Sequence, residues 1–233
     1  MSLESPTTRP RRRSTSAVSP EAIVREGWNR RSLTYRPPRA TLDCFRHTEA
    51  DYRSWLRPLF ERVAPGAPVL DLGCGNGAPA SKALIERFDV TGVDISDVMI
   101  RRARTAIPAA RFIRGDMTEV DFPPESFAAV ISLYAIIHVP LAKQRPLLAR
   151  IRSWLKPRGF FLAILGYAAY EATVNGWLGD DSPMFWSHAD ARTYRGWIRE
   201  VGFTILKEAF IPEGDAGHEL FLARKAGRPR LRS

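Results

Sequence analysis

From residue 68 onward the chain predicts a doubly wound α/β domain. Two observations carry the prediction. Short runs that are apolar on both faces alternate with amphipathic helical stretches, which is the pattern of a parallel sheet covered on both sides. Three successive runs end at an aspartate, Asp71, Asp94 and Asp116. In a parallel sheet those carboxyl ends open on one crevice.

The elements follow in order. Pro68–Leu72 is an apolar run that ends at glycines. Ala80, Ala83, Leu84 and Phe88 then repeat at helical spacing. Residues 90–93 are apolar and stop at Asp94, and Ser96 or Asp97 can cap a helix holding Val98, Met99 and Ala103. Arg111–Arg114 is a third strand and Phe127–Leu133 a fourth. Pro146 suits a helix start, with Leu147, Leu148, Ile151, Trp154 and Leu155 as the stripe behind it. Residues 156–159, KPRG, end that helix before a fifth strand over 160–165. Right-handed crossovers turn this alternation into a Rossmann-like sheet. Tyr194, Trp197, Ile198 and Val201 mark a last helix. Strands over 203–210 and 219–223 follow, joined by a Pro/Gly/Asp loop; with no helix between them they must be antiparallel.

Two segments stand outside the alternation. Residues 21–60 read as helical, with a break at Pro37-Pro38. Residues 166–188 read as a long irregular aromatic segment, and Trp177, Phe185 and Trp186 argue for an ordered functional loop.

The 233 residues suit one domain with appendages, and 45% hydrophobic with 26% charged is ordinary for a soluble globular chain. No apolar run reaches membrane-spanning length and no secretory h-region is seen. Two cysteines, Cys44 and Cys74, cannot build a disulfide framework, so a cytoplasmic setting is expected. Of the net charge of +10, residues 1–20 carry +3 and 224–233 carry +5. The excess therefore sits in Pro/Ser/Arg-rich ends, 1–20 and 225–233, read as disordered solubilising tails.

The stretch 69–79, VLDLGCGNGAP, decides the cofactor. Gly73, Gly75 and Gly77 allow a tight turn and close approach of a ligand, which a dinucleotide pattern also requires. Asp94, 21 residues after Gly73, is spaced to accept from ribose hydroxyls. Asp116 can accept from an exocyclic adenine amine, with Ile95 and Met117 over the ring faces. Asp71 discriminates. A carboxylate beside the loop repels a pyrophosphate and welcomes a sulfonium, which points to S-adenosylmethionine.

With these motifs in hand, residues 20–224 resemble the class I S-adenosylmethionine-dependent methyltransferases of the small-molecule type. The glycine motif 69–77, Asp94 in VTGVDIS, Asp116 in FIRGDM, the segment FAAVISLYAIIHVP and the KPRG turn match the family's pattern. The resemblance implies seven strands, mostly parallel with an antiparallel last strand. It implies a cofactor shell of Asp71, Gly73, Gly75, Asn76, Gly77, Asp94, Ile95, Met99, Asp116, Met117 and Leu133. It divides the chain into tails 1–20 and 225–233 around a methyltransferase domain 21–224, with 21–60 as an N-terminal cap and 166–188 as an aromatic lid.

Methyl transfer needs positioning and water exclusion, and a base where the acceptor is a hydroxyl or thiol. The segment after the fourth strand lacks the Asn/Asp-Pro-Pro-aromatic signature of enzymes acting on adenine or glutamine. His138 there and His188 in PMFWSHAD are the candidate catalytic groups. Tyr35, Trp186 and His218 are the candidate substrate contacts, and Arg53 a candidate for the methionine carboxylate. No metal is expected. The reading is transfer of methyl to an O, N or S atom of a small, partly apolar acceptor by a monomer or homodimer, without nucleic acid or membrane as partner. The alternatives are an RNA or protein methyltransferase recruited by the basic tails, and a non-catalytic S-adenosylmethionine-binding module.

Overall fold

The computed structural model describes residues 18–32, 47–176 and 181–227. Strands β1 (Pro68–Leu72), β2 (Asp89–Asp94), β3 (Arg111–Arg114), β4 (Phe127–Leu133) and β5 (Leu155–Gly166) are followed by β6 (Tyr170–Val174), β7 (Met184–His188), β8 (Phe203–Glu213) and β9 (Ala216–Lys225). Seven of them form one sheet in the order β3-β2-β1-β4-β5-β9-β8. The first five are parallel, and β9 runs antiparallel to both of its neighbours. The last strand in sequence is thus not an edge strand; it lies between β5 and β8.

Both faces of the sheet are buried, which explains the continuous apolar strands. Leu70, Leu72, Val130, Phe161 and Phe221 face α5 (Leu141–Trp154) and α6 (Ala191–Glu200). Their strand neighbours Val69, Ile131, Leu162 and Leu222 face α2 (Glu49–Arg62) and α3 (Ala80–Leu84). Helix starts obey local chemistry. Ser19 caps α1 (Pro20–Arg31), and Thr48 and Asp51 form a reciprocal capping box on α2. Ser96 Oγ accepts from Met99 N–H at the start of α4 (Asp97–Ala106).

Four expectations change. The helix after β1 stops at Leu84, so Phe88 packs from the turn beyond it. Helix α5 starts behind Pro140, leaving Pro146 in its interior at the loss of one helical hydrogen bond. The segment 166–188 is not an irregular loop where described, because β6 and β7 pair as an antiparallel ribbon. The connection before the last strand is a two-residue turn, with Gly214 at φ 65 between Glu213 and Ala216. The Pro37-Pro38 break and Trp177 lie outside the described residues.

One buried knot locks the ribbon to the sheet. Gln144 Nε2 lies 2.6 Å from the Ser187 carbonyl, 2.7 Å from that of Val139 and 3.2 Å from that of Ile136. Its Oε1 accepts from the Tyr194 hydroxyl at 2.6 Å. One fully buried amide therefore fastens the 3-10 turn Ile136–His138 and β7 to α6. Tyr194→Phe should cost about 1–2 kcal/mol by orphaning the Gln144 oxygen. That is a melting point lower by roughly 2–8 °C for a chain of this size. An unchanged thermal melt would remove the knot from the account.

Candidate active site

At the carboxyl end of β1 the chain turns through Gly73 with φ 77. A Cβ there would stand 2.0 Å from Ala135 Cβ, so only glycine lets the loop pass the exit of β4. Gly75 has open space on its Cβ side and lines the crevice. Gly77 faces away from it; a Cβ there would meet Ile107 Cδ1 at 2.7 Å. Asn76 turns inward too, its Oδ1 accepting from Ala78 N–H at 3.1 Å.

Asp94 ties this loop to the next. Its Oδ2 accepts from Gly75 N–H at 2.9 Å and its Oδ1 from Ser96 N–H at 2.8 Å. The carboxylate is buried yet lines the crevice. Burial raises its pKa to about 6, against the pull of those two amides. Asp71 lies beneath the loop rather than on the crevice wall, accepting from Ser81 Oγ at 2.6 Å. Burial pushes it up to about 7, with Ser81 opposing and Asp94 adding to the rise. Asp71 is thus beneath the loop and out of contact with the cavity. Asp116 Oδ1 accepts from the Thr118 amide at 2.8 Å and hydroxyl at 2.9 Å.

One cavity of about 430 Å³ is lined by Gly73, Gly75, Asp94, Asp116 and the apolar Ile95, Met99, Met117 and Leu133. It continues past β4 to a second, aromatic end where His138, Trp186 and His218 stand. Tyr35 lies outside the described residues. His188 does not line the cavity; its Nδ1 occupies the space beside Gly166 that a Cβ would need. The crevice position expected for His188 is taken by His218, whose ring centroid is 6.0 Å from it. Arg53 is also displaced from the site, forming a fork with Glu86 on the exposed side of α2.

His138 is fixed by its surroundings. Nδ1 lies 2.8 Å from the Phe185 carbonyl, and because a carbonyl only accepts, Nδ1 carries the proton. Burial lowers its pKa to about 4, so it is neutral near pH 7. Its ring meets Trp186 at 4.4 Å and Trp28 edge-on at 5.7 Å.

A second group at this end was not read from sequence. Glu213 Oε1 is 3.1 Å from His47 Nε2 and 3.2 Å from His218 Nδ1. Burial works to raise the Glu213 pKa. The neighbouring His218, Tyr134 and His47 side chains outweigh it and hold the carboxyl at about 2. Tyr134 stacks on His47 at 5.7 Å and takes φ 60, a conformation costly for a non-glycine residue and common at working sites. The available signal was the hairpin. Ile211 pairs with His218, and Glu213 shares the face of Ile211, so Glu213 and His218 are diagonal neighbours.

The fold and its crevice are similar to those of S-adenosylmethionine-dependent methyltransferases of known structure. Residues 69–159 match the family model described as a methyltransferase domain. A sterol 24-C-methyltransferase of Gibberella zeae, ERG6B, is 35% identical over 108 residues, which is 42% of this chain and 27% of that protein. The chain spans only about a quarter of such relatives' length. Magnesium protoporphyrin IX methyltransferase from Synechocystis PCC 6803, solved with bound S-adenosylmethionine, shares the fold with TM-score 0.72 and 18% identity. That likeness covers 91% of this chain and all of that one. The [4+2]-cyclase SpnF shares it too, with TM-score 0.62 and 19% identity over 77% of this chain and 82% of its own.

The residues present fit this cofactor. A buried carboxylate faces the cavity at β2, a second acid stands at β3, and apolar side chains lie between them. Among the described residues no helix is long and apolar enough to cross a membrane, and no cluster is placed to hold a metal ion. The raised acids set a pH dependence. A cation binds the ionised form of a carboxylate better, so the preference for the sulfonium cofactor over its neutral thioether product should grow as pH rises through 6–7. Paired titration calorimetry at pH 5.5 and 7.5 checks this; a constant affinity ratio would mean that neither acid senses the sulfonium.

Proposed function

We propose that this protein transfers the methyl group of S-adenosylmethionine to an O, N or S atom of a small, partly apolar acceptor. One observation carries the reading: a single cavity joins the strand-end acids to an aromatic end bearing histidines. S-adenosylmethionine supplies a methyl carbon bonded to a sulfonium. Asp94 would hold its ribose, Asp116 its adenine amine, and Ile95, Met99, Met117 and Leu133 its apolar faces. Gly73 and Gly75 allow close approach, while Asp71, Asn76 and Gly77 shape the loop from behind.

At the acceptor end, Trp186 and Trp28 form an apolar wall that excludes water and can face a cation. Neutral His138 can orient an acceptor by its ring, but a group with pKa about 4 is a weak proton acceptor at neutral pH. The relatives named for sterol C-24 methylation bring a carbon acceptor into consideration. What supports a heteroatom here is the polar, histidine-bearing character of the acceptor end. The reading keeps a cytoplasmic monomer or homodimer as its setting.

The competing readings are an RNA or protein acceptor recruited by the basic ends, and a binding module without methyl transfer. The cyclase of the same fold gives the latter substance. Release of S-adenosylhomocysteine with a small-molecule panel excludes the module, and truncation of both ends without loss of that release excludes recruitment.

Asp94→Ala should weaken S-adenosylmethionine binding at least tenfold, about 1.4 kcal/mol, through lost charge-assisted hydrogen bonds. Calorimetry on a variant with a wild-type melt checks it, and undiminished affinity would sink the cofactor assignment. His138→Ala should lower kcat and leave cofactor affinity within about twofold, since only the acceptor loses its orienting group.

A further inference from the structure

We propose that His218, positioned by Glu213, is the general base of the reaction and that the acceptor atom is therefore a hydroxyl oxygen. The proposal rests on the methyltransferase reading and deepens it.

Sheet topology brings the pair to the crevice. Strand β9 runs antiparallel to β5, with Gly166 opposite His218. Its first residues therefore stand at the carboxyl end of β5, on the crevice rim. The end of β8 comes to the same rim because β8 points the same way as β5. The two-residue turn brings Glu213 back against His218, where Oε1 meets Nδ1 at 3.2 Å. Both side chains line the cavity. A carboxylate oxygen 3.2 Å from Nδ1 favours, in the deprotonated ring, the tautomer that carries its proton there and leaves the lone pair on Nε2. Nε2 makes no hydrogen bond among the described residues. His47 approaches the same Oε1 through Nε2, and Tyr134 packs edge-on to His218 at 5.1 Å. The carboxylate is thus anchored from a second side and cannot follow His218 away.

This pair is built for a task the cofactor end does not have. An amine can reach the reacting state with its lone pair free, but an alcohol or weakly acidic phenol is a poor nucleophile until its proton leaves. His218 Nε2 takes the hydroxyl proton. The oxygen pair forms the new carbon–oxygen bond as the carbon–sulfur bond breaks, and the sulfur keeps that electron pair as a neutral thioether. The resulting imidazolium is stabilised by Glu213 and returns its proton to water.

The test uses three probes of one size, 4-methylphenol, 4-nitrophenol and 4-methylaniline, with S-adenosylhomocysteine release as readout. The full chain should methylate both phenols in preference to the aniline. His218→Gln should lose on the order of a hundredfold on 4-methylphenol and less than about fivefold on 4-nitrophenol, which ionises without help. Glu213→Gln should act in the same direction, with the larger loss on 4-methylphenol. Independently of turnover, nitrogen-15 NMR of the imidazoles should show His218 protonated on Nδ1 in the wild type and a mixed tautomer in Glu213→Gln. Equal losses on both phenols, turnover of the aniline alone, or no phenol turnover with cofactor bound would overturn the base. A tautomer unmoved by Glu213→Gln would overturn its positioning. Failure of the wild type to bind S-adenosylmethionine would instead overturn the methyltransferase reading beneath it.

Discussion

The site depends on one buried carboxylate at the end of β2. Asp94 accepts the amide of Gly75 from the first loop and the amide of Ser96 from the second. Two backbone segments that leave adjacent parallel strands are thereby held at a fixed separation. Ser96 extends the tie outward, its hydroxyl donating to Asn29 Oδ1 of α1 at 2.7 Å while it caps α4. Glycine loop, second strand, fourth helix and N-terminal helix therefore share one anchor. The anchor is not inert: a carboxylate held mostly dehydrated with two amides on it is raised in energy, and a cation or further donor in the crevice relieves that.

The second constraint is the reversal of β9. A sheet of purely parallel strands would place only loops at the carboxyl end. Inserting the last strand antiparallel between β5 and β8 delivers a hairpin turn there, and with it Glu213 and His218. The ribbon of β6 and β7 closes the same end through Trp186 and the Phe185 carbonyl that orients His138. Gln144 then fixes the 3-10 turn and the ribbon together from below. The Asp94 end of the cavity thus rests on backbone geometry set by strands β1 to β3, and its aromatic end on side chains gathered from four distant stretches of sequence.

That division explains what was legible in the sequence. Strands β1, β4 and the second half of β5 were readable because burial on both faces makes them largely apolar, and β2 and β3 because acids and glycines sit at fixed offsets from their ends. Asp71 was readable as a residue but not as an environment. Its position beside the glycines suggested contact with a ligand, whereas Ser81, ten residues on, takes its oxygen and holds it under the loop. His188 and Trp186 share a face by strand alternation, yet only Trp186 reaches the cavity, because His188 lies over Gly166 at the ribbon's base. The His47–Glu213–His218 group could not be read as a unit. His47 comes from the approach to α2, more than 160 residues from the hairpin, and no local periodicity links them.

The account is tested most directly by a crystal structure of this chain with S-adenosylhomocysteine. It predicts the ribose hydroxyls on the Asp94 carboxylate, the adenine amine at Asp116 between Ile95 and Met117, and the sulfur facing the end of the cavity that holds His138 and His218. A ligand bound away from Asp94, or with its sulfur turned from those histidines, would contradict it.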